Sequence, residues 1–228
     1  MKERLINYQG GDHTWNRGTF RHSLSYVKKA DLVLDIGSGI KFLFPKMIAD
    51  MGAKPSCVDI LRPEEIPDFI EDFYQQNVEK EFDLKKKFDV VTALEIIEHL
   101  DKTDELIKNC IRHTKENGLI IIACPNMASL WGRLELLLGF QPHVTEISNE
   151  FPNVGTGLFG KINNPYNEKL HHLRGMTTRG TLELLKNQGL EVVKVIGHYE
   201  NAKLLGFVFS LFSSIAPVNI FICKKKAS

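Results

Sequence analysis

The chain has 228 residues and carries 29 Lys and Arg against 28 Asp and Glu, a formal net charge of +1 at pH 7. This length suffices for one domain with a full apolar core and is short for two. The balanced charge argues against a nucleic-acid-binding protein, which usually carries a basic excess. None of the four cysteines forms a C-x-x-C pair, so we expect free thiols and a reduced, cytoplasmic setting.

The first strong pattern is an apolar run, 32–34, that leads into Asp35, Gly37 and Gly39. It predicts a buried parallel strand that ends in a tight turn and is followed by a helix. The two glycines allow the backbone to bend sharply and let a ligand lie against bare amides. A second apolar stretch ends at Asp59, whose carboxylate can accept hydrogen bonds from both hydroxyls of a ribose. The pattern therefore indicates a nucleoside-binding βαβ unit.

The identity of the nucleoside follows from what the turn lacks. A dinucleotide site needs a third small residue three positions after Gly39, and this chain has Phe42 there, preceded by Lys41. This argues against NAD and FAD. The sequence also contains no Walker P-loop. A carboxylate at Asp35 suits a ligand with a cationic amino-acid end rather than a phosphate.

A second polar motif, Glu95, Glu98 and His99, follows a predicted strand at 88–92. On a helix these side chains would share one face, at the strand end where α/β sheets bind ligands. Three interpretations compete. His99 is a general base with a pKa near the working pH; or the three residues hold a divalent ion together with His172; or the motif is a hydrogen-bonded turn in which His99 braces the loop at His172.

The remaining chain fits alternating strands and helices with one insertion. Helices are predicted over 42–51, 103–114 and 178–188, and strands over 55–58, 69–76, 119–124, 190–196 and 218–224. Residues 1–29 are predicted to form an N-terminal arm or lid. Residues 126–171 are predicted to form a substrate cap that begins with an amphipathic helix at 129–139. We expect a hydrophobic helix at 204–215 that packs over the cap, with membrane contact as the alternative.

Four segments, taken in order, resemble class I S-adenosylmethionine-dependent methyltransferases. They are the glycine turn (33–40), the fourth strand with its loop (88–100), the fifth strand (118–126) and an H-x-R-x-x-T stretch (172–177). The resemblance implies one domain over 1–228 with a Rossmann-like, seven-stranded, mostly parallel sheet. It also implies an antiparallel last strand, helices on both faces and an inserted cap after strand 5.

The resemblance also implies a chemistry: methyl transfer from S-adenosylmethionine, with S-adenosylhomocysteine as product, to an oxygen of a small molecule, lipid or sugar. The predicted cofactor-binding residues are Asp35, Gly37, Ser38, Gly39, Asp59, Ile60, Asn77, Val78 and Glu95. The predicted catalytic residues are His99 and His172.

Two alternatives to this chemistry stay open. The E-x-x-E-H string resembles two metal-using groups, the ubiquinone-pathway O-methyltransferases and the small-RNA 2′-O-methyltransferases. The sequence alone does not favour a metal, and the neutral charge does not favour nucleic acid. Because of the E-x-x-E-H string, one alternative is nevertheless a metal-assisted RNA 2′-O-methyltransferase. The other is a cofactor-binding module without turnover, motivated by the bulky cation Lys41 beside the turn. The sequence predicts no oligomeric state.

Overall fold

A computed structural model describes residues 17–164, 168–199, 208–209 and 211–226. Its strands form one seven-stranded sheet in the order β3-β2-β1-β4-β5-β7-β6. The strands are β1 (Leu32–Ile36), β2 (Lys54–Asp59), β3 (Phe73–Gln75), β4 (Phe88–Leu94), β5 (Thr114–Pro125), β6 (Leu190–His198) and β7 (Val218–Lys225). The helices are α1 (Arg17–Leu24), α2 (Leu43–Asp50), α3 (Thr103–His113), α4 (Leu130–Leu137), α5 (Gly157–Asn163) and α6 (Thr178–Asn187), with 3-10 turns at Ile97–His99 and Ser213–Ile215.

The direction of the strands matches the sequence prediction. β1 pairs in parallel with β2 and β4, and β4 pairs in parallel with β5. β7 lies antiparallel between β5 and β6. The predicted Rossmann-like sheet with an antiparallel last strand is confirmed. The order of the strands reverses between β1 and β4, and α/β sheets bind ligands at the carboxyl ends of the strands at such a point.

The sheet is covered on both faces because successive residues of a buried strand point to opposite sides. Val33 of β1 packs in one apolar layer with Ile48 of α2. The next residue, Leu34, packs in the other layer with Leu106 of α3. All four side chains are fully buried. This two-sided core fixes the strand ends from which the functional residues project.

The regions predicted to be irregular contain more helix than expected. Within 1–29, α1 packs its Phe20 ring against Phe44 at 5.1 Å between centroids, and residues 1–16 lie outside the described residues. The insertion between β5 and α6 contains α4 and also α5, which the polar sequence of 140–170 did not predict. The role of this insertion as a substrate cap stays a prediction.

The hydrophobic segment 204–215 falls partly outside the described residues, since 204–207 and 210 are not among them. In the described part, Phe209 is fully buried and the amide of Phe212 donates to the carbonyl of Val208 at 2.9 Å. Within the described ranges, no helix combines the length and the apolar character needed to cross a membrane.

Candidate cofactor site and its glutamate–histidine cluster

A cavity of about 440 Å³ opens at the carboxyl ends of β1, β2 and β4. Seven of the predicted cofactor residues line it: Gly37, Gly39, Asp59, Ile60, Asn77, Val78 and Glu95. The predicted catalytic residue His99 lines it as well, whereas Asp35, Ser38 and His172 are not among its lining residues. The sequence patterns at three separate strand ends therefore converge on one space.

The glycine turn connects β1 to this cavity. Gly37 and Gly39 adopt φ angles of +79° and +65°, a region that side-chain-bearing residues rarely adopt. The amide of Gly37 donates to the carbonyl of Val58 at 2.8 Å, and that of Gly39 donates to Oδ2 of Asp59 at 2.9 Å. These bonds hold the turn against the end of β2. A Cβ on Gly37 would lie 2.3 Å from Cδ1 of Ile96, so a side chain there would force Ile96 to shift.

Substituting Gly37 with alanine is therefore expected to destabilise the fold by about 2–4 kcal/mol, because backbone strain and the collision with Ile96 add. Gly139→Ala is the matched control, since its φ of +77° carries the same strain but no atom lies within 4 Å of the added Cβ. Urea denaturation of both variants measures the difference. Equal losses of unfolding free energy in the two variants would show that Ile96 does not confine the turn.

Phe42 occupies the position where a dinucleotide site has its third small residue. It takes a left-handed conformation, φ 51°, at the start of α2. Its ring is buried against Cys57 and Ile70 and meets the ring of Phe73 edge-on at 6.0 Å between centroids. The position thus serves a small apolar cluster rather than close approach of a helix to a pyrophosphate.

Asp35 lies beneath the turn instead of facing the cavity. Its side chain is buried, and Oδ1 accepts a hydrogen bond from the hydroxyl of Thr92 at 2.6 Å. Burial raises the pKa of Asp35 to about 7, against the opposing effect of the Thr92 hydroxyl. In this position Asp35 supports the turn from below, and a direct role toward a cofactor stays a prediction.

Asp59, unlike Asp35, lines the cavity. Oδ2 accepts from the amide of Gly39, and Oδ1 accepts from the amide of Leu61 at 2.9 Å. Burial raises the pKa of Asp59, and these backbone donors counteract the rise. The two bonds fix the orientation of the carboxylate at the cavity. Its prediction as a ribose-binding group fits this geometry.

Asn77 lies in the loop after β3. Its Oδ1 accepts from the amide of Glu79 at 2.9 Å, which is a local turn of the kind that asparagine favours. The same residue lines the cavity. Its side chain therefore shapes the loop, and contact with an adenine ring stays a prediction.

The E-x-x-E-H motif is not a continuous α-helix, and the expectation that its three polar side chains share one helical face is wrong. Glu95 adopts a left-handed φ of 53°, and only Ile97–His99 forms a 3-10 turn. The motif is compact because β4 ends at Leu94 and the chain must turn within a few residues. Glu95 consequently faces the cavity, while Glu98 points into the interior, where it is 1% exposed.

Glu98, His99 and His172 form a buried cluster. Oε1 of Glu98 lies 3.7 Å from Nε2 of His99 and 3.9 Å from Nε2 of His172. The two rings meet edge-on at 4.9 Å between centroids. Among the described residues, no hydrogen-bond donor reaches either carboxylate oxygen of Glu98. One ligand atom from each of the three residues lies within 4.8 Å of the other two, and Glu95 does not belong to this group.

Backbone carbonyls fix the tautomers of both histidines. Nδ1 of His99 lies 3.1 Å from the carbonyl oxygen of His171, and Nδ1 of His172 lies 2.7 Å from that of Val144. A carbonyl oxygen can only accept, so each Nδ1 carries the proton. Each Nε2 is therefore left with a lone pair on the side of Glu98.

Burial sets the protonation states of the cluster. It raises the pKa of Glu95 to about 7. Burial, and then the charge of Glu95, raises the pKa of Glu98 well above its usual value. Burial, and then the neighbouring His172, lowers the pKa of His99 to about 3, and burial lowers that of His172 to about 4. The expectation that the pKa of His99 lies near the working pH is wrong, because the ring is desolvated.

The buried carboxylate gives a stability prediction. Because the pKa of Glu98 in the folded chain lies above its unfolded value, folding loses stability as the pH rises from below 4.5 toward the folded pKa. Glu98→Gln removes this loss. The variant is expected to gain about 1–3 kcal/mol over the parent at pH 8 and much less at pH 5. Denaturation in EDTA at the two pH values measures the difference in unfolding free energy. A gain independent of pH would contradict the assignment.

The predicted site residues leave out several lining residues, chiefly Glu79 and Asp101. Each lies within two residues of a position that the sequence did single out, so adjacency along the chain was the available signal. The carboxylate of Glu79 accepts from the amide of Asp101 at 2.7 Å and so joins two walls of the cavity. The contact spans a sequence separation that no local pattern reveals.

Comparison with known proteins identifies the family. A family model described as a methyltransferase domain matches residues 18–195. The chain belongs to the methyltransferase domain family. This methyltransferase-domain protein is 30% identical over 132 residues to the ubiquinone biosynthesis O-methyltransferase of Rickettsia typhi, a match that covers 52% of the chain and 53% of the relative. The chain thus spans about half the length of that curated relative.

Solved structures share the fold of the methyltransferase-domain protein. The Burkholderia thailandensis 1,6-didemethyltoxoflavin-N1-methyltransferase, solved with 1,6-didemethyltoxoflavin and S-adenosylhomocysteine, gives a TM-score of 0.65 at 13% identity and covers 99% of this chain and 87% of that one. An S-adenosylmethionine-dependent methyltransferase from Archaeoglobus fulgidus gives 0.56 at 20% identity, over 91% and 92%. At such identities the likeness shows the fold alone. Together with the family match, it confirms the assignment to the class I S-adenosylmethionine-dependent methyltransferases.

Proposed function

We propose that this chain transfers the methyl group of S-adenosylmethionine to an oxygen of a small hydroxylated molecule. One observation supports the proposal most directly. A single cavity joins a nucleoside half, at the glycine turn and Asp59, to a second half lined by His99 and His171. A methyl donor and an acceptor held in these halves would meet near the histidines.

The charge of the lining favours a cationic ligand. Among the described residues that line the cavity, four are acids and none is Lys or Arg. The acids are Asp59, Glu79, Glu95 and Asp101. S-adenosylmethionine carries a sulfonium and an ammonium group and no phosphate, so it fits this lining better than a nucleotide does. The cofactor contacts assigned to Asp59, Asn77 and Glu95 are part of this proposal.

When bound, S-adenosylmethionine supplies a methyl group on a positively charged sulfur, which is an excellent leaving group. The residues of the chain then have to position an acceptor and exclude water. Ile60, Val78 and Leu100 supply apolar walls beside the polar groups of the cavity. Hydrogen bonds fix Asp59 to the turn and hold the nucleoside half rigid. This keeps the methyl donor in a fixed position relative to the acceptor half.

We also propose that Glu98, His99 and His172 hold a divalent cation. The residues fit such an ion, since they offer two imidazole lone pairs and a carboxylate that lacks a described donor. When bound, the ion would lower the pKa of an acceptor hydroxyl. A ligand role suits His99 better than that of a general base, because a group with a pKa of about 3 takes up a proton poorly at neutral pH.

The names of the curated relatives support an oxygen acceptor, since they are O-methyltransferases of ubiquinone biosynthesis. An acceptor of that kind is lipid-like, and a sugar is the alternative. Lys41, which motivated a module without turnover, is exposed and is not among the described lining residues. An RNA acceptor lacks support, because a phosphate backbone approaching this mouth would meet carboxylates rather than cations.

Transfer of tritium from methyl-labelled S-adenosylmethionine tests the proposal. The panel contains phenols and catechols with and without an isoprenoid tail, sugars and a short RNA, each with Mg²⁺ or with EDTA. We expect a labelled hydroxylated aromatic product and a lower rate in EDTA. Cofactor binding without any labelled product would support the module without turnover. A rate of product formation that is the same with Mg²⁺ and with EDTA would contradict the proposed metal site. Labelling of RNA that declines steeply with salt would support the RNA 2′-O-methyltransferase instead.

A further inference from the structure

The inserted segment reaches the glutamate–histidine cluster through Glu146, a residue with no part in the sequence motifs. Its Oε1 accepts from the amide of Leu170 at 2.7 Å, and its Oε2 accepts from the amide of His171 at 2.6 Å. Two consecutive backbone donors thus share one carboxylate. Such charge-assisted bonds are stronger than bonds between neutral groups. A glutamine at this position would offer one acceptor and place an NH₂ group against the other donor.

The residue held in this way is conformationally strained. His171 has a φ of 57°, in the left-handed region. For a residue with a side chain this costs about 1–3 kcal/mol and persists only where the surroundings impose it. The clamp from Glu146 is one such constraint. The hydrogen bond from the ring of His172 to the carbonyl of Val144, two residues before Glu146, is a second bond between the same two segments.

The strained residue in turn holds the ring of His99. The carbonyl oxygen of His171 accepts the Nδ1 proton of His99 at 3.1 Å, while Nε2 of His99 lies 3.7 Å from Glu98. If this carbonyl turned away, Nδ1 of His99 would lose the acceptor that lies 3.1 Å from it. A proton on Nε2 would then replace the lone pair that faces Glu98 with a donor. The path from Glu146 to the cluster therefore runs through one residue, from the amide of His171 to its carbonyl.

We infer that Glu146 is a positioning residue: by clamping the amides of Leu170 and His171 it aims the His171 carbonyl at Nδ1 of His99 and so fixes the tautomer of that ring. The catalytic consequence rests on the proposed function, whereas the tautomer itself does not. The inserted segment is thereby coupled to the cluster, and an acceptor that reorders the segment would act on His99 through the same clamp.

The test is the Glu146→Gln variant of the full chain, labelled with ¹⁵N in its histidines and followed by two-bond ¹H–¹⁵N correlation. In the parent protein we expect the His99 proton on Nδ1. In the variant we expect a shift toward the Nε2–H form. The signal is assigned by its loss in His99→Gln. His113 is an internal reference, since its Nδ1 contacts the Asn109 carbonyl at 2.8 Å and its Nε2 accepts from the Leu84 amide at 3.0 Å; its tautomer should not change.

Glu150→Gln is the matched control, because Glu150 is an exposed carboxylate in the same insertion; it should leave His99 unchanged. Affinity for S-adenosylmethionine is measured in parallel and should stay within about threefold, since the nucleoside half is untouched. An unchanged His99 tautomer in Glu146→Gln would overturn the inference. An Nε2–H tautomer in the parent protein would also overturn it, and this measurement does not require the variant to fold. Absence of cofactor binding in the parent would refute the proposed function and leave the clamp standing.

Discussion

Asp59→Ala is expected to weaken binding of S-adenosylmethionine by about 100-fold, the largest effect of any single substitution in the nucleoside half. The substitution removes a carboxylate that lines the cavity and that is held in place by the amides of Gly39 and Leu61. Each charge-assisted hydrogen bond to a ribose hydroxyl contributes about 1.5–3 kcal/mol, and a factor of 100 corresponds to about 2.7 kcal/mol. Isothermal titration of the folded variant measures the loss.

Asp68→Ala provides the control for this experiment. Asp68 is an exposed acid in the loop that follows β2, so the variant removes the same charge outside the cavity. Its affinity for S-adenosylmethionine should equal that of the parent. If Asp59→Ala and Asp68→Ala bind equally well, the carboxylate of Asp59 does not contact the ribose.

The second large effect is expected at the cluster, where His172→Ala should weaken binding of Mn²⁺ by at least about 100-fold. The substitution removes one of three ligand atoms and leaves Glu98 and His99 as an incomplete set. Loss of a group that merely orients a ligand already costs about 10–100-fold in affinity, so loss of a ligand costs more. Titration followed by electron paramagnetic resonance of free Mn²⁺ measures the affinity without requiring an acceptor.

The control is His22→Ala, because His22 lies on α1 and belongs to no group of three residues with ligand spacing among the described residues. It should bind Mn²⁺ like the parent. A parent protein that binds no Mn²⁺, or a His172→Ala variant that binds it undiminished, would remove the proposed metal site. The cluster would then be a hydrogen-bonded brace between the loop after β4 and the segment before α6, as the third interpretation of the motif held.

The nucleoside half was predictable because its signals are local. An apolar run, two glycines and an acid at the end of the next apolar run are the physical requirements of the turn, and each is visible in a few consecutive letters. Gly37 and Gly39 adopt the positive φ angles that their spacing suggested. Asp59 lies at the end of β2, as the alternation of strand and helix required. The mostly parallel sheet with its antiparallel last strand followed from the resemblance of four separate segments.

The proposed acceptor half was less predictable because its geometry depends on contacts between distant segments. The left-handed Glu95 breaks the helical face that its spacing suggested, since the end of β4 forces a turn. The low pKa of His99 arises from burial beneath the 170–172 segment, which no local pattern encodes. Glu146 lies in a polar stretch without periodicity, and only the folded chain shows that it holds two amides more than twenty positions away.

The most direct test of the central claim is a calorimetric titration of the purified, folded protein with S-adenosylmethionine. The account predicts saturable binding with one site per chain and a rise in unfolding free energy of about 2.7 kcal/mol at a ligand concentration 100 times the dissociation constant. No heat of binding at any temperature tried, together with an unchanged melting temperature at millimolar cofactor, would contradict it.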